Sequence, residues 1–260
     1  MTLEQQLDQL ARCLGADPVT GNLHDKFQYY RGLVNRRPVQ PVSAAYLELE
    51  AAVLTTYRQD HPIVCWEDGQ PVPEQPAIRL IQADLTRVSA DAIVNPANSQ
   101  LLGCFQPCHD CLDNQIHSYA GIRLRHACAE WKADQCKRHL SVGEAMMTPG
   151  FHLPARAVIH TVGPQIQKLP VSAMMRDLLA KGYRQVLSLA EQEGLITIAI
   201  PCIATGEFGF PLGEATQIAV TTVVEYLAAH KSPLRVLFTV WTQAQYQAYQ
   251  AAFAQLKGGS

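Results

Sequence analysis

The stretch "LLGCFQPCHDCLDNQIH", residues 101–117, packs three cysteines and two histidines into a short segment. Thiolate and imidazole are the ligands that borderline and soft metals prefer. Cys104, Cys108 and Cys111 have the spacing CxxxCxxC, which suits a cysteine-ligated iron–sulfur cluster such as radical S-adenosylmethionine chemistry uses. Cys104, His109 and Cys111 offer a different set. Two thiolates and one imidazole leave a fourth tetrahedral position open, the arrangement of catalytic rather than structural zinc. Cys108 and Cys111 also form a CxxC suited to thiol–disulfide exchange. Unliganded loop thiols are the bland alternative, which fits poorly with so dense a cluster.

Two further stretches carry groups suited to a nucleotide-like ligand. In "ADLTRVSADAIVNPANSQLLG", residues 83–103, Asp84 follows one apolar run, and Asn95 and Asn98 close the next. A carboxylate there can accept from an exocyclic amine, and the amides can hold hydroxyls; ordinary turn chemistry is the alternative. In "CIATGEFGFPLGEA", residues 202–215, Gly206, Gly209 and Gly213 lie between a strand-like and a helix-like run. Backbone amides in such a loop can cradle a diphosphate. The pattern is neither GxGxxG nor the P-loop. Phe208 and Phe210 either pack on a sugar or base, or belong to the core. His160, in "AVIHTVG", alternates with apolar neighbours and reads as a core histidine.

The elements that must position these groups follow from periodicity. "LEQQLDQLARCL" and "SAAYLELEAAVLTTYRQ" repeat apolar residues at helical spacing, the second with Ser43 as N-cap. "RRPVQPV" connects them, and "EDGQPVPEQP", residues 67–76, reads as a linker or surface turn. Beyond it, "AIRLIQ", "DAIVN", "GEAMMTPG", "AVIHTVG", "TIAIPCIA" and "LRVLFTVW" read as strands. "LDNQIHSYAGIRLRHACAEW", "VSAMMRDLLAKGYRQVLSLAEQEG", "GEATQIAVTTVVEYLAAH" and "TQAQYQAYQAAFAQL" read as helices. This alternation predicts an α/β fold with a largely parallel sheet and helices on both faces. Ligands in such sheets bind beyond the carboxyl ends of strands, here the loops after "DAIVN" and "TIAIPC".

Composition narrows the class. The chain has 260 residues, 48% hydrophobic and 17% charged, with a net charge of -2. No basic excess favours phosphate-backbone binding, so a nucleic-acid partner is not expected. No apolar run reaches the roughly 18 residues of a membrane span. A chain this long does not need disulfide staples, so the eight cysteines suggest a cytoplasmic protein with reduced thiols.

Taken in order, "ADLT", "DAIVNPAN", "LDNQIHSYAG", "GEAMMTPGFHLPARAVIHTVGP" and "ATGEFGFP" resemble the macrodomain family over about residues 77–255. The resemblance implies a macrodomain-type mixed sheet flanked by helices (residues 73–260) that binds ADP-ribose, preceded by a helical extension (residues 1–72). Most hydrolytic macrodomains carry a run of glycines where this chain has "GCFQPCHDC". That departure resembles the zinc-dependent subfamily, whose members also carry an N-terminal helical extension. Carried over, one Zn2+ per chain is held by Cys104, His109 and Cys111, with Cys108 a bystander. Asp84 holds the adenine amino group, with the Leu85 backbone beside it. Thr205, Gly206, Glu207, Phe208, Gly209 and Phe210 wrap the diphosphate. Asn95 and Asn98 face the distal ribose. Asp113 positions or activates water, with Asn114 next to it in the ADP-ribose site.

The implied reaction is zinc-dependent hydrolysis that removes mono-ADP-ribose from modified protein side chains, by water attack at C1 of the distal ribose. Its substrate is a mono-ADP-ribosylated protein and its product free ADP-ribose. A functionally linked sirtuin-type ADP-ribosyltransferase is the implied partner. The alternative is an ADP-ribose reader that binds without cleaving and whose metal is structural.

Overall fold

The computed structural model describes residues 1–136 and 139–256. Three helices open the chain: α1 (Leu3–Cys13), α2 (Leu23–Arg36) and α3 (Ala44–Gln59). Each begins at a side-chain cap: Thr2 and Asn22 form capping boxes, and Ser43 accepts the Tyr46 N–H. Leu7, Leu10, Phe27, Tyr30, Tyr46 and Val53 fill the core between them. That core continues into Ile122 and Tyr119 of the following region, so the three helices are packed onto the sheet domain.

The remainder alternates strands and helices: β1 (Gln70–Val72), β2 (Gln75–Gln82), β3 (Ala92–Pro96), α4 (Leu112–Ala120), α5 (Ile122–Asp134), β4 (Ala145–Pro149), β5 (Ala157–Thr161), α6 (Ala173–Gln192), β6 (Thr197–Ile200), α7 (Leu212–His230), β7 (Arg235–Val240) and α8 (Gln243–Leu256). The seven strands form one mixed sheet in the order β1-β2-β7-β6-β3-β5-β4. The middle pairings are parallel, and the two outer pairs, β1 with β2 and β4 with β5, are antiparallel. This is the α/β architecture expected from the sequence.

The pleat sorts side chains between two cores. Ala92, Val94, Ile159, Ile198, Ile200, Val236 and Phe238 face α6, α7 and α8. Ile93, Val158, Ala199 and Leu237 face α4 and α5. Two residues beyond Ile93 on the same strand, Asn95 points to the α4 side. His160 is its register partner on β5.

Two local expectations are corrected. Residues 112–131, expected as one helix, form α4 and α5 with a break at Gly121 (φ +85). A Cβ there would lie 2.7 Å from the Glu50 carboxylate, so both conformation and close approach demand glycine. The proline-marked stretch 67–76 is not only a connection. It holds β1, an edge strand, where Pro71 withholds no interior ladder bond. In addition, α2 fills a region for which the periodicity singled out no separate helix.

Candidate active site

A cavity of about 410 Å³ opens beyond the carboxyl ends of β2, β3, β6 and β7. Ala83, Asp84 and Leu85 line it after β2, and Pro96 and Asn98 after β3. Pro201, Cys202 and Ala204 to Phe208 contribute after β6, and Thr239 and Trp241 at the end of β7. Cys104, His109, Cys111 and Asp113 complete the wall. Most of the expected site residues therefore line one cleft, at the position that the rule for parallel sheets gives; Asn95, Asn114, Gly209 and Phe210 do not line it.

Asp84 caps a 3-10 turn at Leu85–Arg87. Its Oδ1 accepts the Thr86 N–H at 2.9 Å and the Thr86 hydroxyl at 2.7 Å. Arg87 Nε lies 3.5 Å from Oδ2. Across the cavity, the loop 201–211 is closed by Phe210 N–H to Ala204 O (3.0 Å) and Gly209 N–H to Gly206 O (2.9 Å). Thr205, Gly206, Glu207 and Phe208 line the cavity. Phe210 is a buried core side chain, which leaves its backbone to serve the loop. α7 starts immediately behind at Leu212, so its electropositive end faces the same loop region.

Asp113, in the first turn of α4, is the buried carboxylate of the site. Asn95 Nδ2 donates to its Oδ1 at 2.7 Å and Asn98 Nδ2 to its Oδ2 at 3.3 Å. Burial pushes its carboxyl up to about 6, against the opposing pull of Asn95, Arg125 and Asn98. Asn95 is itself wholly buried, and its amide also meets His160 Nδ1 at 3.1 Å. It stands behind Asp113 rather than in the cavity wall. Asn114 is buried too, and donates to the Cys104 and Gln106 carbonyls.

The three expected ligands come together. The donor atoms of Cys104, His109 and Cys111 lie within 4.8 Å of one another, with Cys104 Sγ 3.5 Å from His109 Nδ1. All three are half-buried and line the cavity. Cys111 also caps α4, its sulfur accepting the Asn114 N–H. Burial pushes the Cys111 thiol up to about 12 against that bond, and the neighbouring Cys104 and Asp113 add to the rise. A dication beside it would reverse the balance. Two thiols and an imidazole at this separation fit zinc, and the cavity gives access on one side. On the far side of the ring, Glu207 Oε1 lies 3.8 Å from His109 Nε2.

A second trio, His117, Cys128 and His160, is equally compact but sealed in the core. His160 Nε2 is 3.0 Å from the Thr148 hydroxyl and Nδ1 meets Asn95, so this histidine is satisfied without a metal, as its sequence setting suggested. Burial, with His160 and Arg125 nearby, holds His117 well below the ordinary histidine value. Its 3.6 Å approach to Asp113 is thus not an ion pair. Gly103 makes room for this ring, since a Cβ there would meet it at 2.8 Å.

The cavity also enlists residues that sequence reasoning passed over. Trp241, 64% exposed, stands at the mouth beside Thr239 and Gln245. Trp241 ends the run "LRVLFTVW", so the strand-end rule applied to β7 was the signal that could have found it.

Comparisons agree with this geometry. The Macro domain family model matches residues 94–219. A protein-ADP-ribose hydrolase of Staphylococcus aureus (strain MSSA476) is 47% identical over 232 residues, 89% of this chain and 86% of that protein. A protein-ADP-ribose hydrolase of Treponema medium is 38% identical over 225 residues, 84% of each chain. Among solved structures, the Trypanosoma brucei macrodomain in complex with ADP-ribose superposes with a TM-score of 0.65 at 30% identity, covering 85% of this chain and 94% of that one. The family match, the shared fold and the identity to these relatives over most of the length place this chain in the macrodomain family.

Proposed function

We infer that this protein is a zinc-dependent hydrolase that removes mono-ADP-ribose from modified protein side chains. The observation that carries the reading is a juxtaposition. One cavity wall holds both a buried carboxylate lifted to about 6 and a Cys–His–Cys ligand set. The protein-ADP-ribose hydrolases that it resembles over most of its length support removal of ADP-ribose from protein. A pure reader has no use for an open-sided metal site.

In this account residues 73–260 form the ADP-ribose-binding unit and residues 1–72 an appended helical unit. Asp84 receives the adenine amino group beside the Leu85 backbone. The Thr205–Phe210 loop wraps the diphosphate. Asn98 fixes the distal ribose at the far end, while Asn95 and Asn114 hold Asp113 and the loop around it. Cys104, His109 and Cys111 hold the zinc, which supplies Lewis acidity at that end of the cavity. Asp113, which lines the cavity beside the ligand set, accepts a proton from the water that attacks C1. The C1 bond to the protein side chain breaks, the proton taken from water passes from Asp113 to the leaving side chain, and ADP-ribose is the product. A sirtuin-type ADP-ribosyltransferase is the class of enzyme that would make the substrate.

Cys104→Ala tests the metal role. It should lose zinc and hydrolysis while the chain stays folded and still binds free ADP-ribose. Full hydrolysis by that variant would remove zinc from the account, and zinc retention with no turnover on any linkage in the unmodified protein would favour the reader.

A further inference from the structure

The metal-binding loop is held from behind by α2. Asn35 on that helix is wholly buried. Its Oδ1 accepts the Cys108 N–H at 3.0 Å, and its Nδ2 donates to Ser118 Oγ on α4 at 3.1 Å. Cys108 sits at φ +50, a conformation that costs energy outside glycine and needs support from its surroundings. Its thiol donates to the Gln28 carbonyl of the same helix at 3.0 Å. The loop also packs on α2 at Gly32, where Cys108 Sγ and Pro107 lie within van der Waals reach of a Cβ position. One turn along, buried Arg31 donates to Asn114 Oδ1 at 3.0 Å, and Asn114 in turn holds the Gln106 carbonyl at 2.9 Å and that of Cys104 at 3.4 Å.

The backbone at Cys104, Gln106 and Cys108 is thus tied to α2, directly or through one side chain. The bonds of Asn35 to Ser118 and of Arg31 to Asn114 are buried, so breaking either leaves a polar group without water or partner. These ties hold the loop through groups other than the Cys104, His109 and Cys111 side chains, and a loop held in this way loses less freedom on binding a metal. Cys108, adjacent to the ligand His109 and outside the ligand set, has its own use in this picture. It is the contact point of the mount.

We propose that α2 is the mount of the zinc-binding loop, and that Asn35 and Arg31 are positioning residues that slow the release of zinc. This rests on the zinc reading above. The test loads the full chain with Zn2+ and follows metal release into a chromogenic chelator, beside thermal unfolding. Asn35→Ala should speed release by about tenfold, the lower end of what outer-shell losses cause. Arg31→Met, which keeps an apolar stem, should speed it by about threefold, and it decides the matter if the first variant does not fold. Tyr46→Phe loosens the same helical unit at Glu50 without touching the loop. It should lower the melting temperature and leave release unchanged. Release that tracks melting temperature in all three variants would overturn the mount, as would wild-type release in both loop variants. A wild-type chain that takes up no zinc would instead overturn the metal reading itself, and the proposal with it.

Discussion

At the scale of single residues, two carboxylates at the cavity have been given different settings. Asp84 is partly solvated and satisfied by Thr86. Asp113 is buried, so its proton is harder to remove. Environment separates the roles: the first suits a hydrogen-bond acceptor for a ligand, the second a base. Asp113→Asn keeps the volume and removes the proton acceptor. It should lower turnover of a mono-ADP-ribosylated protein by about 10²–10³-fold, with ADP-ribose affinity by calorimetry nearly unchanged. Turnover within a few-fold of wild type would mean that Asp113 only shapes the site. The candidate ligand cysteines and histidine were legible as residue types at a spacing. The sequence alone left open which three of four would converge; the fold brings together Cys104, His109 and Cys111 and turns Cys108 toward α2. Asn95 was expected to face the ribose, yet the pleat of β3 turns it toward α4 and His160.

At the scale of elements, two carboxylates, one buried and one half-buried, join pieces that are distant in sequence. Glu50 on α3 accepts from the hydroxyls of Tyr30 and Tyr46 and from the Ile122 N–H that opens α5. Glu50→Ala would leave three donors without their acceptor. The expected loss is about 2–4 kcal/mol, read as a fall of roughly 5–15 °C in melting temperature. A change under a degree would show that water replaces the carboxylate without cost. Asp91, just ahead of β3, accepts from Ile196 N–H and Thr197 N–H on the β6 side, and from Arg156 ahead of β5. Burial works against its charge, but the backbone bonds from Thr197 and Ile196 outweigh it and lower its pKa below 3.8. The folded chain thus binds this proton less tightly than the unfolded one. Its stabilisation is present above 3.8 and is lost as the pH falls through the lower folded value. The stability deficit of Asp91→Asn against wild type, followed by denaturant unfolding, should be full at neutral pH and shrink on acidification below about 4. A deficit that stays constant with pH would contradict the assignment. The strands and most helices were legible because their apolar periods are strong. The break at Gly121 was not, because it answers to Glu50 from 71 residues away in sequence rather than to any local breaker pattern. Likewise nothing local in α2 marks Arg31 or Asn35, whose partners arrive only on folding.

At the scale of the whole molecule, a macrodomain sheet presents its cleft at the strand ends, and an appended three-helix unit backs the loop that departs from the family pattern. Among the described residues no helix is long and apolar enough to cross a membrane. The fold could be anticipated from ordered motifs spread along most of the chain, and the cleft from the strand-end rule. The union of helical extension and metal loop could not, because it consists of contacts between segments that carry no shared pattern. The most direct measurement of the central claim is metal content paired with turnover: elemental analysis of the purified protein, then hydrolysis of a mono-ADP-ribosylated protein before chelation, after it, and after zinc is restored. About one zinc per chain is expected, with hydrolysis lost on chelation, regained with zinc, and free ADP-ribose bound throughout. Undiminished hydrolysis by the metal-free chain would contradict the account.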